Sequence, residues 1–163
     1  MFEHSGKIAD NKIAYLGNGS KVCASLIHGA SKLGAHVVVC SPEGYSPGAE
    51  VVSEPFEVTR DIKEAVSEAD VVYSDIWFSP SDLKSLSPEQ IASEENKFLK
   101  FQVTSELMSY AKPDAVFIHC LPAAREKEVS SEVLDGDQSI VFRQAQNRLW
   151  AHKAILEWSL QED

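Results

Sequence analysis

Basic residues are scarce in this chain. Fifteen lysines and arginines stand against 25 aspartates and glutamates in 163 residues, a formal net charge of -10. Such a field repels phosphate backbones and anionic lipid alike, which excludes nucleic acid and membrane surfaces as expected partners. Cysteine is scarcer still. Cys23, Cys40 and Cys120 are odd in number, far apart and free of CxxC spacing, so the pattern gives neither a disulfide framework nor a zinc site. No apolar run approaches the roughly 18 residues of a membrane span, and the opening residues lack the basic start and apolar core of a secretory signal. A cytoplasmic protein with reduced thiols is expected. Internal repeats and low-complexity stretches are also missing.

What is present is a globular composition, 44% hydrophobic, in a length that suits one domain of about 100–200 residues. Residues 12–17 form an apolar run that stops at Gly17-Asn18-Gly19, and residues 22–33 carry helical spacing closed by Gly34. Residues 36–40 read as a second strand rich in valine. Residues 42–57, with three prolines and two glycines, have no apolar period and read as an irregular connection. A short helix over 61–69 and a strand over 71–77 follow. Residues 78–96 are long for a connection, and form either a mobile site loop or one containing a short helix near 88–92. A helix over 97–111, a strand over 115–120, a short helix over 128–134, a fifth strand over 139–142 and a final helix over 145–160 complete the chain. This alternation predicts an open, mostly parallel five-stranded α/β sheet, Rossmann-like, with helices on both faces. Ligands in that architecture sit beyond the carboxyl ends of strands.

Several residues at those ends carry chemistry. Gly17-Asn18-Gly19-Ser20 lacks the third glycine of a dinucleotide turn, Val22 standing in its place, so no nucleotide cofactor is expected. Asp75 ends a buried strand, where a carboxylate needs a partner: either a cationic ligand or a neighbouring loop to cap. Cys120 closes another strand in His119-Cys120-Leu121-Pro122. Arg148 lies early in the last helix, where a cation is disfavoured by the helix dipole unless an anion or a local acid pairs with it.

These residues fall into a pattern that resembles a known family. From about Lys12 to Leu160 the chain resembles the C-terminal, ornithine-binding domain of ornithine carbamoyltransferases. The motifs are Ala69-Asp70-Val71-Val72-Tyr73 with Asp75 and Trp77, then Phe101-Gln102-Val103, His119-Cys120-Leu121-Pro122-Ala123, Glu128-Val129 and Asn147-Arg148. The resemblance implies that Asp75 and Ser79 hold the amino-acid end of ornithine. It implies that Cys120 and Leu121 lie against the side-chain amine and carbamoyl phosphate, and that Arg148 helps hold carbamoyl phosphate. Lys21 aligns with an ornithine-contacting asparagine and joins the substrate-binding set, while Ser79-Pro80-Ser81 stands where the family has Ser-Met-Gly. The implied reaction is carbamoyl transfer to the side-chain amine of L-ornithine, giving citrulline in arginine biosynthesis, with no metal or organic cofactor. Neither the family's Ser-x-Arg-Thr-Arg phosphate loop nor its His-Pro-x-Gln segment occurs in these residues. The expectation is therefore a single ornithine-binding-type domain over residues 1–163, inactive alone, that works as a homo-oligomer or with a partner chain supplying the missing half. The alternatives are a non-catalytic amino-acid-binding or protein-interaction module, altered chemistry on another amino-acid-like substrate, and a truncated gene product.

Overall fold

The structure, a computed structural model, describes residues 6–48, 51 and 54–161. Its centre is one five-stranded parallel sheet of order β3-β2-β1-β4-β5. The strands are β1 (Lys12–Leu16), β2 (His36–Cys40), β3 (Glu57–Thr59), β4 (Val71–Ser74) and β5 (Val116–His119). β1, β4 and β5 are almost wholly buried, as near-continuous apolar strands covered on both faces must be.

Alternation along the strands divides the core into two clusters. Ile13, Tyr15, Val37, Val39, Val71, Tyr73 and Ile118 point to the face covered by α1 (Lys21–Lys32), which supplies Cys23, Ala24, Ile27 and Ala30. Ala14, Leu16, Val38, Val72 and Phe117 point to the other. That face is covered by α2 (Ile62–Val66), α5 (Ser105–Met108) and α6 (Ser131–Leu134). Helices thus lie on both faces, as the sequence predicts, and each large apolar side chain so buried contributes about 1.5–3 kcal/mol.

The expected fifth strand at 139–142 is not one. Ser139 makes only an isolated parallel bridge to Phe117, because the backbone leaves the extended region at Ile140 and Val141 opens the last helix, α7 (Val141–Ser159). The fifth strand is β3, inside the stretch read as irregular. It is an edge strand whose residues are exposed or half-buried, so no apolar period announces it. Two helices begin within residues 78–96, α3 (Pro80–Ser85) and α4 (Pro88–Phe98), the second where a short helix near 88–92 was one alternative. Each opens with a serine N-cap, a proline in the first turn and a capping box, Ser79 with Asp82 and Ser87 with Gln90. The predicted helix over 97–111 is divided into the end of α4, a 3-10 turn (Leu99–Phe101) and α5, because Val103 is drawn out to bridge Val129. An aromatic cluster fixes this region: Phe98 stacks on Trp77 at 5.5 Å and meets Tyr45 edge-on at 4.7 Å.

Candidate functional site

Strand register sets the site. Leu16 pairs with Ser74 and Ser74 with His119, so the next residues, Gly17, Asp75 and Cys120, leave the sheet at one level on three adjacent strands. Between β1 and β4 the strand order reverses, which opens a crevice at their carboxyl ends. The β1 turn is held close to its neighbours. A Cβ on Gly19 would lie 2.4 Å from the Pro47 nitrogen, and Asn18 donates from Nδ2 to the Trp77 carbonyl at 2.9 Å.

Asp75, only 1% exposed, is the hub of that crevice. Its Oδ1 accepts the Ile76 N–H at 2.8 Å and the Cys120 thiol at 2.7 Å. Its Oδ2 accepts the Ser20 hydroxyl at 3.0 Å. Tyr15 Oη lies 3.3 Å from the same oxygen but 2.9 Å from the Asn18 carbonyl, and its single proton favours the closer acceptor. One carboxylate therefore joins β1, the start of α1, β4 and the end of β5. Of the two alternatives drawn from sequence, the contact to a neighbouring loop is present, Asp75 accepting from Ser20 of the β1 turn, and the same residue also lines a cavity.

The Cys120 thiol is held as a hydrogen-bond donor. The residue as a whole reaches solvent, yet its sulfur lies against a buried carboxylate. Burial, then the hydrogen bond to Asp75, then the charge of Asp75 push its pKa up to about 12. A thiolate nucleophile is thereby suppressed near neutral pH. The turn after Cys120 is strained, Leu121 having a φ of +55° in the left-handed region. It is held by His119, whose Nδ1 accepts the Leu121 N–H at 2.9 Å. That bond requires an unprotonated Nδ1, and burial lowers the pKa of the imidazole in the same sense.

Four of the six sequence-predicted site residues, Lys21, Asp75, Ser79 and Cys120, line one cavity of about 560 Å³. Ser79 also caps α3, accepting the Asp82 N–H. Leu121 is adjacent but outside that lining, its side chain packing against the core. Arg148 stands apart, exposed on α7, with no ion pair among the described residues. The local acid that would pair with it is thus not seen. Sequence reasoning missed Ser20, which lines the cavity and supplies one of the donors to Asp75, and Asp82, which lines it from α3. It also missed Tyr15, whose signal was a phenol inside an otherwise aliphatic strand.

Comparison with known proteins follows the same lines. The profile of the aspartate/ornithine carbamoyltransferase Asp/Orn binding domain matches residues 9–159. The ornithine carbamoyltransferase of Caldicellulosiruptor saccharolyticus is 46% identical, over 96% of this chain and 52% of that protein. That of Thermococcus kodakarensis is 43% identical, over 96% and 51%. Among solved structures, ornithine carbamoyltransferase from Pyrococcus furiosus superposes with a TM-score of 0.87 at 41% identity, over 95% of this chain and 51% of that one. The Thermus thermophilus enzyme gives 0.86 at 34%, over 98% and 52%. The chain spans about half the length of the relatives it matches. It belongs to the aspartate/ornithine carbamoyltransferase family, as an Asp/Orn binding domain of the ornithine carbamoyltransferase type.

Proposed function

We propose that this domain forms the amino-acid wall of an ornithine carbamoyltransferase site, and that a carbamoyl-phosphate-holding half completes it. The observation that carries the reading is the Asp75–Cys120 pair at 2.7 Å inside a cavity that Lys21 and Ser79 also line. Asp75 and Ser79 take the ammonium side of an α-amino acid. Lys21, which has no ion pair among the described residues, suits its carboxylate. The side-chain amine then faces Cys120 and the Leu121 backbone. With its thiol protonated, Cys120 orients the amine rather than attacking. In the transfer, the neutral amine forms the N–C bond to the carbamoyl carbon, the C–O bond to phosphate breaks, and the amine loses a proton as phosphate departs. Orientation and electrostatics supply the rate in such a step.

The need for a second half is supported by α7. Beyond Val141 it presents Phe142, Leu149, Trp150, Ile155, Leu156 and Trp158 to solvent, all more than half exposed. An apolar surface of that extent marks an interface. Arg148 lies on the same helix, where a docked half would bring phosphate to its guanidinium. That half comes from the rest of a longer chain or from a separate polypeptide, in an assembly that works in the cytoplasm in arginine biosynthesis. Calorimetric titration with L-ornithine tests the reading. Saturable heat that is lost in Asp75→Asn is expected, and no binding would overturn it.

Lys21 favours a second reading, an amino-acid-binding module without transfer, because it brings a cation where the family pattern has an amide. Binding of ornithine with no citrulline from the completed site would select it.

A further inference from the structure

We infer that Glu128 is a positioning residue, a buried clamp that holds the β4-end and β5-end loops together so that Asp75 and Cys120 stay in contact. Glu128 is 4% exposed, and a carboxylate so placed is costly unless its oxygens are satisfied. No salt bridge reaches it among the described residues. Its partners are backbone groups of the two site loops. Oε2 accepts the Ala124 N–H at 2.7 Å, four residues after Cys120. Burial pushes the pKa of Glu128 up, opposed by its own backbone amide, then that of Ala124, then that of Trp77, two residues after Asp75. The Glu128 carbonyl accepts from Ser74 Oγ at 3.4 Å, immediately before Asp75, and from Val103 N at 2.9 Å.

Glu128 thus meets both loops whose tips make the thiol–carboxylate bond, and with Trp77 and Ala124 it lines a second cavity of about 290 Å³ rather than the one that Asp75 and Cys120 line. A carboxylate suits this post because both of its oxygens accept, whereas a carboxamide offers one acceptor oxygen and turns donors toward N–H groups. On the Asp75 cavity side the β4 loop is tied to its neighbours through Asp75, by Ser20 and Cys120, and through the Asn18 to Trp77 bond. The inference rests on this pocket being the site, though not on the group transferred there.

Alkylation of Cys120 reads the clamp directly. With Asp75 beside it the thiol is held near a pKa of about 12 and should react slowly with iodoacetamide at pH 8. Buried Cys23 and Cys40 report global opening in the same digest by mass spectrometry. Glu128→Gln in the full chain is expected to speed labelling of Cys120 at least about tenfold, because a loosened loop frees the thiol from the carboxylate that disfavours its ionisation. Cys23 and Cys40 should stay protected. In an Asp75→Asn background the same change should add less than about twofold, since Glu128 acts through that pair. An unchanged Cys120 rate in a folded Glu128→Gln protein overturns the inference, as does an equal acceleration in both backgrounds. Labelling of all three cysteines in both Glu128→Gln and Glu128→Asp would assign the residue to folding alone and overturn it too. Labelling is independent of substrate, so accelerated Cys120 alkylation in a chain that ignores ornithine would leave the clamp standing and remove the ornithine reading.

Discussion

Asp75 offers the sharpest test of how the crevice is held, because two substitutions at it should differ widely. In Asp75→Asn the carboxamide oxygen can stay in the Oδ1 position, keeping the Ile76 N–H and the Cys120 thiol. The new amino group then faces Ser20 Oγ and Tyr15 Oη. Both are hydroxyls able to accept, and the Tyr15 proton already has the Asn18 carbonyl at 2.9 Å. The remaining loss is the difference between charged and neutral hydrogen bonds, about 1 kcal/mol each for the two strongest, partly offset by no longer burying a charge. The expected destabilisation is about 1–2 kcal/mol. Asp75→Ala removes every acceptor and strands the Ile76 amide, the Cys120 thiol and the Ser20 hydroxyl, at about 1–3 kcal/mol for each group left unsatisfied. It should cost about 4 kcal/mol or more. Urea unfolding measures both, read as a shift in midpoint at constant slope. If Asp75→Ala lies within about 1 kcal/mol of Asp75→Asn, the carboxylate is not the hub described here.

Three further outcomes follow from the same geometry. His119 is neutral in the fold with its pKa lowered by burial, so between its ordinary value of 6.5 and the lower folded value the unfolded chain binds more protons. Stability should therefore be full above about pH 6.5 and fall as the pH drops through that window, and His119→Asn, which keeps an acceptor for Leu121 N–H, should flatten the slope. Gly19→Ala should destabilise the domain and weaken ornithine binding, because its Cβ would meet the backbone of residues 45–47 within 2.7 Å and the β1 turn must shift; thermal denaturation and titration would register both. On α7, Trp150→Glu with Trp158→Glu should change the stability of the isolated chain by less than about 0.5 kcal/mol, since both side chains are exposed. The same pair should abolish association with a completing half, as sedimentation of the mixture would reveal.

The part of the fold legible in sequence is the part whose signal is local. β1, β2, β4 and β5 announce themselves as apolar runs because both their faces are buried. Topology placed the site at those strand ends, the family resemblance supplied Lys21 and Ser79, and Lys21, Asp75, Ser79 and Cys120 do share a cavity. Glu57–Thr59 was not legible, since an edge strand takes its stability from pairing with β2 rather than from an apolar face. Ile140-Val141-Phe142 reads as a strand by composition. Its one bridge at Ser139 is followed at once by a helix, a choice made by the surroundings and not by propensity. The Ser-Pro opening of α3 carried a capping signal that its polar context obscured, whereas that of α4 lies where a short helix near 88–92 was the alternative read from sequence. The partners of Asp75 were illegible for a different reason: Tyr15, Ser20 and Cys120 lie 45 to 60 residues away in sequence, and only the register of three strands brings them to one carboxylate.

Citrulline formation in a mixture of this chain with the carbamoyl-phosphate domain of a related carbamoyltransferase tests the proposed role most directly. Product is expected only when both halves, carbamoyl phosphate and L-ornithine are present, and it should disappear in Asp75→Asn. Absence of citrulline at every ratio, with both halves folded and associated, would contradict it.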